Sequence, residues 1–155
     1  MPSGSCMCGE ITISYSGEPK YTAICHCNDD RKIGNIVVYQ IDETKFQITS
    51  DVKPKEWTMK SDFGRDITNH FCATCGTVMF RTGGSPSVKG LVGLRAGVLD
   101  DQNTVNNSAP MMEVYVERRP KWRAEIEGAI QMNSNYEIIG GMKKEQDMLK
   151  STSNE

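Results

Sequence analysis

Phe71-Cys72-Ala73-Thr74-Cys75-Gly76-Thr77 is the stretch from which the fold of this chain can be read. In a Cys-x-x-Cys-Gly pattern one turn presents two sulfurs to a common point, and the glycine supplies the positive φ that ends the turn. Such a knuckle is half of a four-thiolate metal site. The other half stands near the N-terminus as Cys6-Met7-Cys8-Gly9. There an i, i+2 pair in extended backbone projects both side chains from one face, as a chelate requires. Zn²⁺ takes four soft donors at about 2.3 Å, so Cys6, Cys8, Cys72 and Cys75 together read as one Cys₄ zinc site. Because the two pairs are distant in sequence, the ion would clamp the N-terminal segment against the middle of the chain, and its binding would be part of folding. Four thiolates close the coordination sphere, which makes the site structural.

The third pair, Cys25-His26-Cys27, offers only two sulfurs. In an extended chain His26 points to the opposite face, a poor position for ligating the same ion but a usable one for supporting the ligands or for acid/base work. Three residues after Cys27 comes Asp30, whose carboxylate can bind zinc at about 2.0 to 2.2 Å. Cys25, Cys27 and Asp30 would leave one coordination position open, as catalytic zinc requires. Asp30 has two other readings, a general base and a solvated loop residue. The six cysteines likewise have two, a disulfide scaffold and a set of unrelated buried thiols. A disulfide scaffold suits a short secreted chain; unrelated thiols leave the clustering unexplained. The N-terminus has neither a basic segment nor an apolar one that would direct export, so reduced thiols in the cytoplasm are expected.

At 155 residues, one domain over 1–155 with one core is the default. Hydrophobic residues make up 37% and charged residues 25%, and no apolar run approaches a membrane span. The net charge of −2 provides no dense basic surface for nucleic acid or an anionic membrane. A small molecule is the expected partner.

Alternating apolar and polar residues bounded by Gly, Pro, Asn and Asp predict short strands at 10–16, 21–25, 34–40, 45–49, 55–60, 77–81, 88–96 and 112–117. The segments 81–87 and 99–110 read as exposed loops. Pro120 is placed to open a short C-terminal helix, 143–150 has helical composition, and 151–155 reads as a frayed tail. The nine methionines read as core filler, and Trp57 and Trp122 as residues packing on the sheets.

Gly4-Ser5-Cys6-Met7-Cys8-Gly9-Glu10-Ile11, Cys25-His26-Cys27 followed by Arg31-Lys32 and Gly34, Phe71 to Thr77, and Gly97-Val98-Leu99-Asp100 together resemble the glutathione-dependent formaldehyde-activating enzyme family, which includes centromere protein V. The resemblance covers about residues 3–125, leaving 126–155 as a C-terminal extension. It implies a mainly β fold, a tent-like arrangement of short antiparallel sheets around zinc. It also implies carbon–sulfur lyase chemistry like the joining of formaldehyde and glutathione into S-hydroxymethylglutathione. Cys6, Cys8, Cys72 and Cys75 would hold a structural zinc, and Cys25 and Cys27 would belong to a catalytic one. The family's second site usually reads CxCxxC, and here Asp30 stands where the third cysteine would be. A carboxylate gives the metal less electron density than a thiolate, so the ion would be held less tightly and be a stronger Lewis acid.

Three functions are compatible with these residues. The first is a zinc-dependent lyase-type enzyme with Asp30 and His26 as candidate catalytic groups and Asp29 available for proton transfer. Arg31, Lys32, Arg81 and Arg95 are its candidates to meet the carboxylates of glutathione. The second is an enzyme of the same fold with lyase, isomerase or cyclase chemistry on a different substrate. The third is a zinc-stabilised binding module without catalysis.

Overall fold

The period-2 alternation of Leu91-Val92-Gly93-Leu94-Arg95 sorts one strand into two faces, and the rest of the fold is arranged around that division. A computed structural model describes residues 1–34, 37–135, 137 and 139 of the chain. The strands in chain order are β1 (Ser3–Ser5), β2 (Thr12–Tyr15), β3 (Tyr21–Cys25), β4 (Val38–Asp42), β5 (Phe46–Ile48), β6 (Lys55–Lys60), β7 (Asp66–Phe71), β8 (Val78–Gly83), β9 (Leu91–Arg95), β10 (Met112–Val114) and β11 (Ile130–Met132). Two short helices, α1 (Asn28–Lys32) and α2 (Gln102–Asn106), complete the regular elements among the described residues together with single 3₁₀ turns.

β1, β2 and β5 form a small antiparallel sheet, and the other eight strands form one large sheet in the order β11-β10-β3-β4-β9-β8-β7-β6. The large sheet is mixed, because β10 runs parallel to both β3 and β11. On one of its faces Tyr39 and Ile41 of β4 and Val92 and Leu94 of β9 join Ile13 and Tyr15 of β2 in the core that fixes the small sheet to the large one. Ile13, Ile41 and Leu94 are at most 1% exposed, and each such burial stabilises the fold by about 1.5–3 kcal/mol. Phe46 meets Phe80 edge to face at 4.8 Å across the same layer. On the opposite face Leu91, Gly93 and Arg95 of β9 lie beside Val38 and Gln40 of β4, and these residues floor a cavity.

The expected strands 21–25 and 55–60 form with those bounds, and the other six form with shifted ends. Three strands were not expected. β1 is too short and polar to alternate, β7 buries Asn69 beside Ile67, and β11 lies beyond the expected family-like region. The supposed loop 99–110 contains α2, capped by the Asp101 side chain on the backbone N–H of Asn103. The short helix expected after Pro120 does not form. Residues 121–123 are a turn, closed by the Arg123 N–H on the Pro120 carbonyl, and the following chain is recruited by the Ile126 N–H to Glu113. Trp57 and Trp122 do not pack on the sheets; they are 57% and 85% exposed, because β6 is an edge strand and the 121–123 turn has no covering layer. The segments 143–150 and 151–155 lie outside the described residues. No helix among the described residues is long and apolar enough to cross a membrane.

Candidate metal centres and the cavity beside them

The Cys72 knuckle closes through the Gly76 N–H on the Cys72 carbonyl at 3.0 Å and the Cys72 N–H on the Thr77 carbonyl at 2.9 Å. Gly76 adopts φ 74°, a conformation that a Cβ would strain. The N-terminal pair is shaped in the same way, by the Gly9 N–H on the Cys6 carbonyl and by the Ile11 N–H on Cys6 Sγ. Cys8 Sγ lies 3.5 Å from Cys6 Sγ and 3.6 Å from Cys72 Sγ, and the four sulfurs including Cys75 all fall within 4.8 Å of one another. All six cysteines of the chain are free thiols.

Crowding splits the protonation of this cluster. Hydrogen bonds from Thr77 lower Cys75 to about 5. At Cys8 the Glu10 backbone N–H favours the thiolate, but desolvation and the sulfurs of Cys6, Cys72 and Cys75 push the thiol up to about 12. Four sulfurs this close cannot all ionise without a cation among them, so the cluster could hold a metal ion. The cluster fits zinc in donor number, softness and spacing.

The second cluster is assembled where β3 runs into α1. Cys27 caps α1 by accepting the Asp30 N–H at 3.3 Å, and this turn folds Asp30 back over the pair. Sγ of Cys25, Sγ of Cys27 and the Asp30 carboxylate lie within 4.8 Å of one another, so this cluster too could hold a metal ion. The Cys27 thiol donates to Asp30 Oδ2 at 3.0 Å, and this proton would leave when Cys25, Cys27 and Asp30 held a metal ion. The hydrogen bond with Cys27, together with burial, raises the Cys25 pKa above the ordinary thiol range. Burial works against the Asp30 carboxylate, but Arg95 and Arg81 outweigh it and hold its pKa below the usual range. Arg95 Nη1 donates to Oδ1, and Arg81 Nη1 donates to Oδ2 at 3.2 Å. Arg81 is aimed in turn by Asn69, whose Oδ1 accepts from Nε at 2.9 Å.

His26 points away from this cluster. Its Nε2 stands 2.9 Å from Glu113 Oε1, with both side chains fully buried. An ionised carboxylate only accepts, so Nε2 carries the proton. Glu113 Oε2 also accepts from Arg119 at 2.9 Å, from the Ile126 N–H at 2.8 Å and from Gln131 at 2.8 Å. His26 therefore ties the end of β3 to β10 and to the segment leading into β11, and it is absent from the cavity lining.

The cavity has a volume of about 320 Å³, and Cys25, Cys27, Asp29 and Asp30 reach it together with Arg81 and Arg95. Tyr115 forms part of its wall. That residue adopts φ 59°, a left-handed conformation rare for a side chain of its size, and its hydroxyl donates to Asp62 at 3.2 Å. Of the four cationic residues proposed for glutathione, Arg81 and Arg95 are here, whereas Arg31 and Lys32 are exposed on α1. Sequence reasoning missed Glu113, Asn69, Gly93 and Tyr115. The signal available for Gly93 was a glycine inside an otherwise apolar strand ending in arginine, which marks a close approach or a space left open.

A mainly β fold carrying one four-cysteine cluster and one cysteine–carboxylate cluster beside a cavity, each of which could hold a metal ion, defines the class of protein. Residues 1–118 match the family model described as glutathione-dependent formaldehyde-activating enzyme, and the chain belongs to that family. No protein of curated function matches it. Among solved structures, a Rhodobacter sphaeroides protein superposes with a TM-score of 0.54 at 15% identity, over 68% of this chain and 96% of the other, a likeness of fold.

Proposed function

We propose that the chain is an enzyme of carbon–sulfur lyase type, resembling S-hydroxymethylglutathione synthase, that acts on a thiol adduct of a carbonyl compound in the cavity beside Cys25, Cys27 and Asp30. The observation that carries this reading is the convergence of those three donors, with one coordination position to spare, on the floor of a cavity large enough for a small ligand. Zinc bound there would polarise a carbonyl oxygen or stabilise a thiolate as the C–S bond forms or breaks. The chain's own part is positional. Cys27 and the first turn of α1 set the donor geometry, and Arg81 and Arg95 keep Asp30 ionised. Asp29 reaches the cavity and is available for proton transfer, while His26 acts as a positioning residue through Glu113. Six free thiols suit a reducing compartment such as the cytoplasm.

The test is ¹³C-formaldehyde and glutathione with zinc-loaded protein, following S-hydroxymethylglutathione by NMR. A rate above the spontaneous reaction supports the assignment, and the spontaneous rate alone removes glutathione and formaldehyde as substrates. The apolar cavity wall favours a second reading, in which the same fold and metal centre act on a bulkier substrate.

A further inference from the structure

We propose that the cavity selects a compact, largely apolar molecule carrying a single acid group, with Arg81 and Arg95 meeting the acid. This deepens the second of the two enzyme readings, a different substrate at the same site, by naming a substrate class, and it rests on that reading only for the claim that the bound molecule reacts.

The register of the sheet places the polar groups. Arg81, Gly93, Gln40 and Tyr21 stand side by side across β8, β9, β4 and β3, and all four line the cavity. At Gly93 a Cβ would sit 3.2 Å from a Val38 methyl and 3.5 Å from the Gln40 amide, so the missing side chain is what opens the floor between Gln40 and Arg81. Arg95 lies one strand position away on the same face.

Two guanidinium groups share one buried carboxylate, Asp30, so the floor holds one positive charge that no buried anion among the described residues matches. A divalent ion on Cys25 and Cys27 leaves that count unchanged, since its two charges replace two thiol protons. Arg95 is 3% exposed, and its Nε has no hydrogen-bond partner among the described residues; neither has Gln40 Oε1. A buried donor left unmatched costs about 1–3 kcal/mol, a cost that an acidic ligand group would remove. The other acidic groups of the lining are not paired with these arginines. Asp62 is 62% exposed and already engaged by Tyr115 and Arg118, and Asp29 is half-buried in the lining, while both guanidinium groups are bonded to Asp30.

Beyond this polar floor the walls are mostly apolar, built from Ile67 and Leu91 on one side and from Met112, Val114 and Met132 on the other, with Phe63, and the hydroxyls of Ser61, Ser85 and Ser87 in the lining bond within the chain. Glutathione, with two carboxylates, an ammonium and two amides, would lose hydration against these side chains without regaining it. An aromatic or branched aliphatic acid would bury its body there and place its charge on the arginines.

The test uses calorimetry on zinc-loaded protein with three probes: 2-naphthoate, its neutral isostere 2-naphthylmethanol, and glutathione. The expected order is naphthoate at least about tenfold tighter than the alcohol, with glutathione weakest. Arg81→Gln should weaken naphthoate about tenfold and leave the alcohol unchanged, whereas Gly93→Val should weaken both. Failure of naphthoate to bind, equal binding of acid and alcohol, tightest binding by glutathione, or equal loss of both probes in Arg81→Gln would each overturn the proposal. The probe order is read on the native protein, and the Arg81→Gln comparison is read on variant protein whose thermal unfolding remains cooperative, so a variant that folds poorly does not decide the result. Naphthoate binding without turnover of formaldehyde and glutathione would sink that substrate pair and keep this inference. Turnover without naphthoate binding would do the reverse.

Discussion

Arg95 donates to Oδ1 of Asp30 with the two side chains only 3% and 8% exposed, while Arg81 holds the other oxygen. Asp30, the carboxylate beside Cys25 and Cys27, is thus the counter-charge of one buried and one largely buried cation. Asp30→Asn should therefore destabilise the protein holding an ion at the Cys₄ cluster alone by about 3–5 kcal/mol in urea unfolding, the cost of stranding a buried charge. Asp30→Cys should cost a similar amount although it adds a third sulfur beside Cys25 and Cys27. An unchanged midpoint in both variants would show that the arginines do not depend on Asp30.

Glu113 should make the fold acid-sensitive through the same kind of pairing. Burial disfavours its carboxylate, but the Ile126 N–H, His26, Gln131 and Arg119 outweigh that and hold its pKa below the usual glutamate value. A group depressed in the folded state stabilises above its unfolded pKa, about 4.3, and loses that contribution as pH falls through the folded value. The stability gap between the native chain and Glu113→Gln should be full at pH 6 and shrink steadily below pH of about 4. A gap independent of pH would place the Glu113 contribution in packing instead of charge.

Chelation should empty the two metal clusters in order. Asp30 gives up electron density to two arginines, so an ion on Cys25, Cys27 and Asp30 is held less tightly than one on four thiolates. Graded chelator should remove one equivalent with little loss of secondary structure and the second together with unfolding, because the Cys₄ cluster joins the N-terminal segment to the knuckle. Simultaneous release would contradict the ranking.

Gly76→Ala isolates the backbone's part in the knuckle. A Cβ there meets no atom within 4 Å, so the cost comes from φ 74° alone, about 1–2 kcal/mol. Thermal unfolding of the zinc-loaded variant measures it, and a Tm equal to that of the native chain would mean that the turn relaxes without strain.

The Cys₄ cluster was legible in the sequence because both of its halves are local chelates whose spacing carries the geometry, and the structure brings Cys6, Cys8, Cys72 and Cys75 together. Cys25, Cys27 and Asp30 were legible for the same reason. The partners of Asp30 were only half so: Arg81 and Arg95 were singled out, but for a ligand's carboxylate and not for one of the chain's own. Their convergence depends on the register of β8 and β9 and on the turn of α1, which no short window contains. His26 was placed correctly on the opposite face by alternation, but Glu113, 87 residues away, cannot be found from spacing. The missed strands β1, β7 and β11 are short, or polar on a buried face, and form because neighbouring strands supply their hydrogen bonds. The helix expected after Pro120 gave way to a local turn and to the pull of Glu113 on the Ile126 N–H.

The most direct measurement is elemental analysis of metal per chain in the purified protein and in the double variant Cys25→Ser/Cys27→Ser, which leaves the Asp30 ion pairs and the Cys₄ cluster intact. Two equivalents in the native chain and one in the variant are expected. One equivalent in both, or two in both, would contradict a second metal centre on Cys25, Cys27 and Asp30.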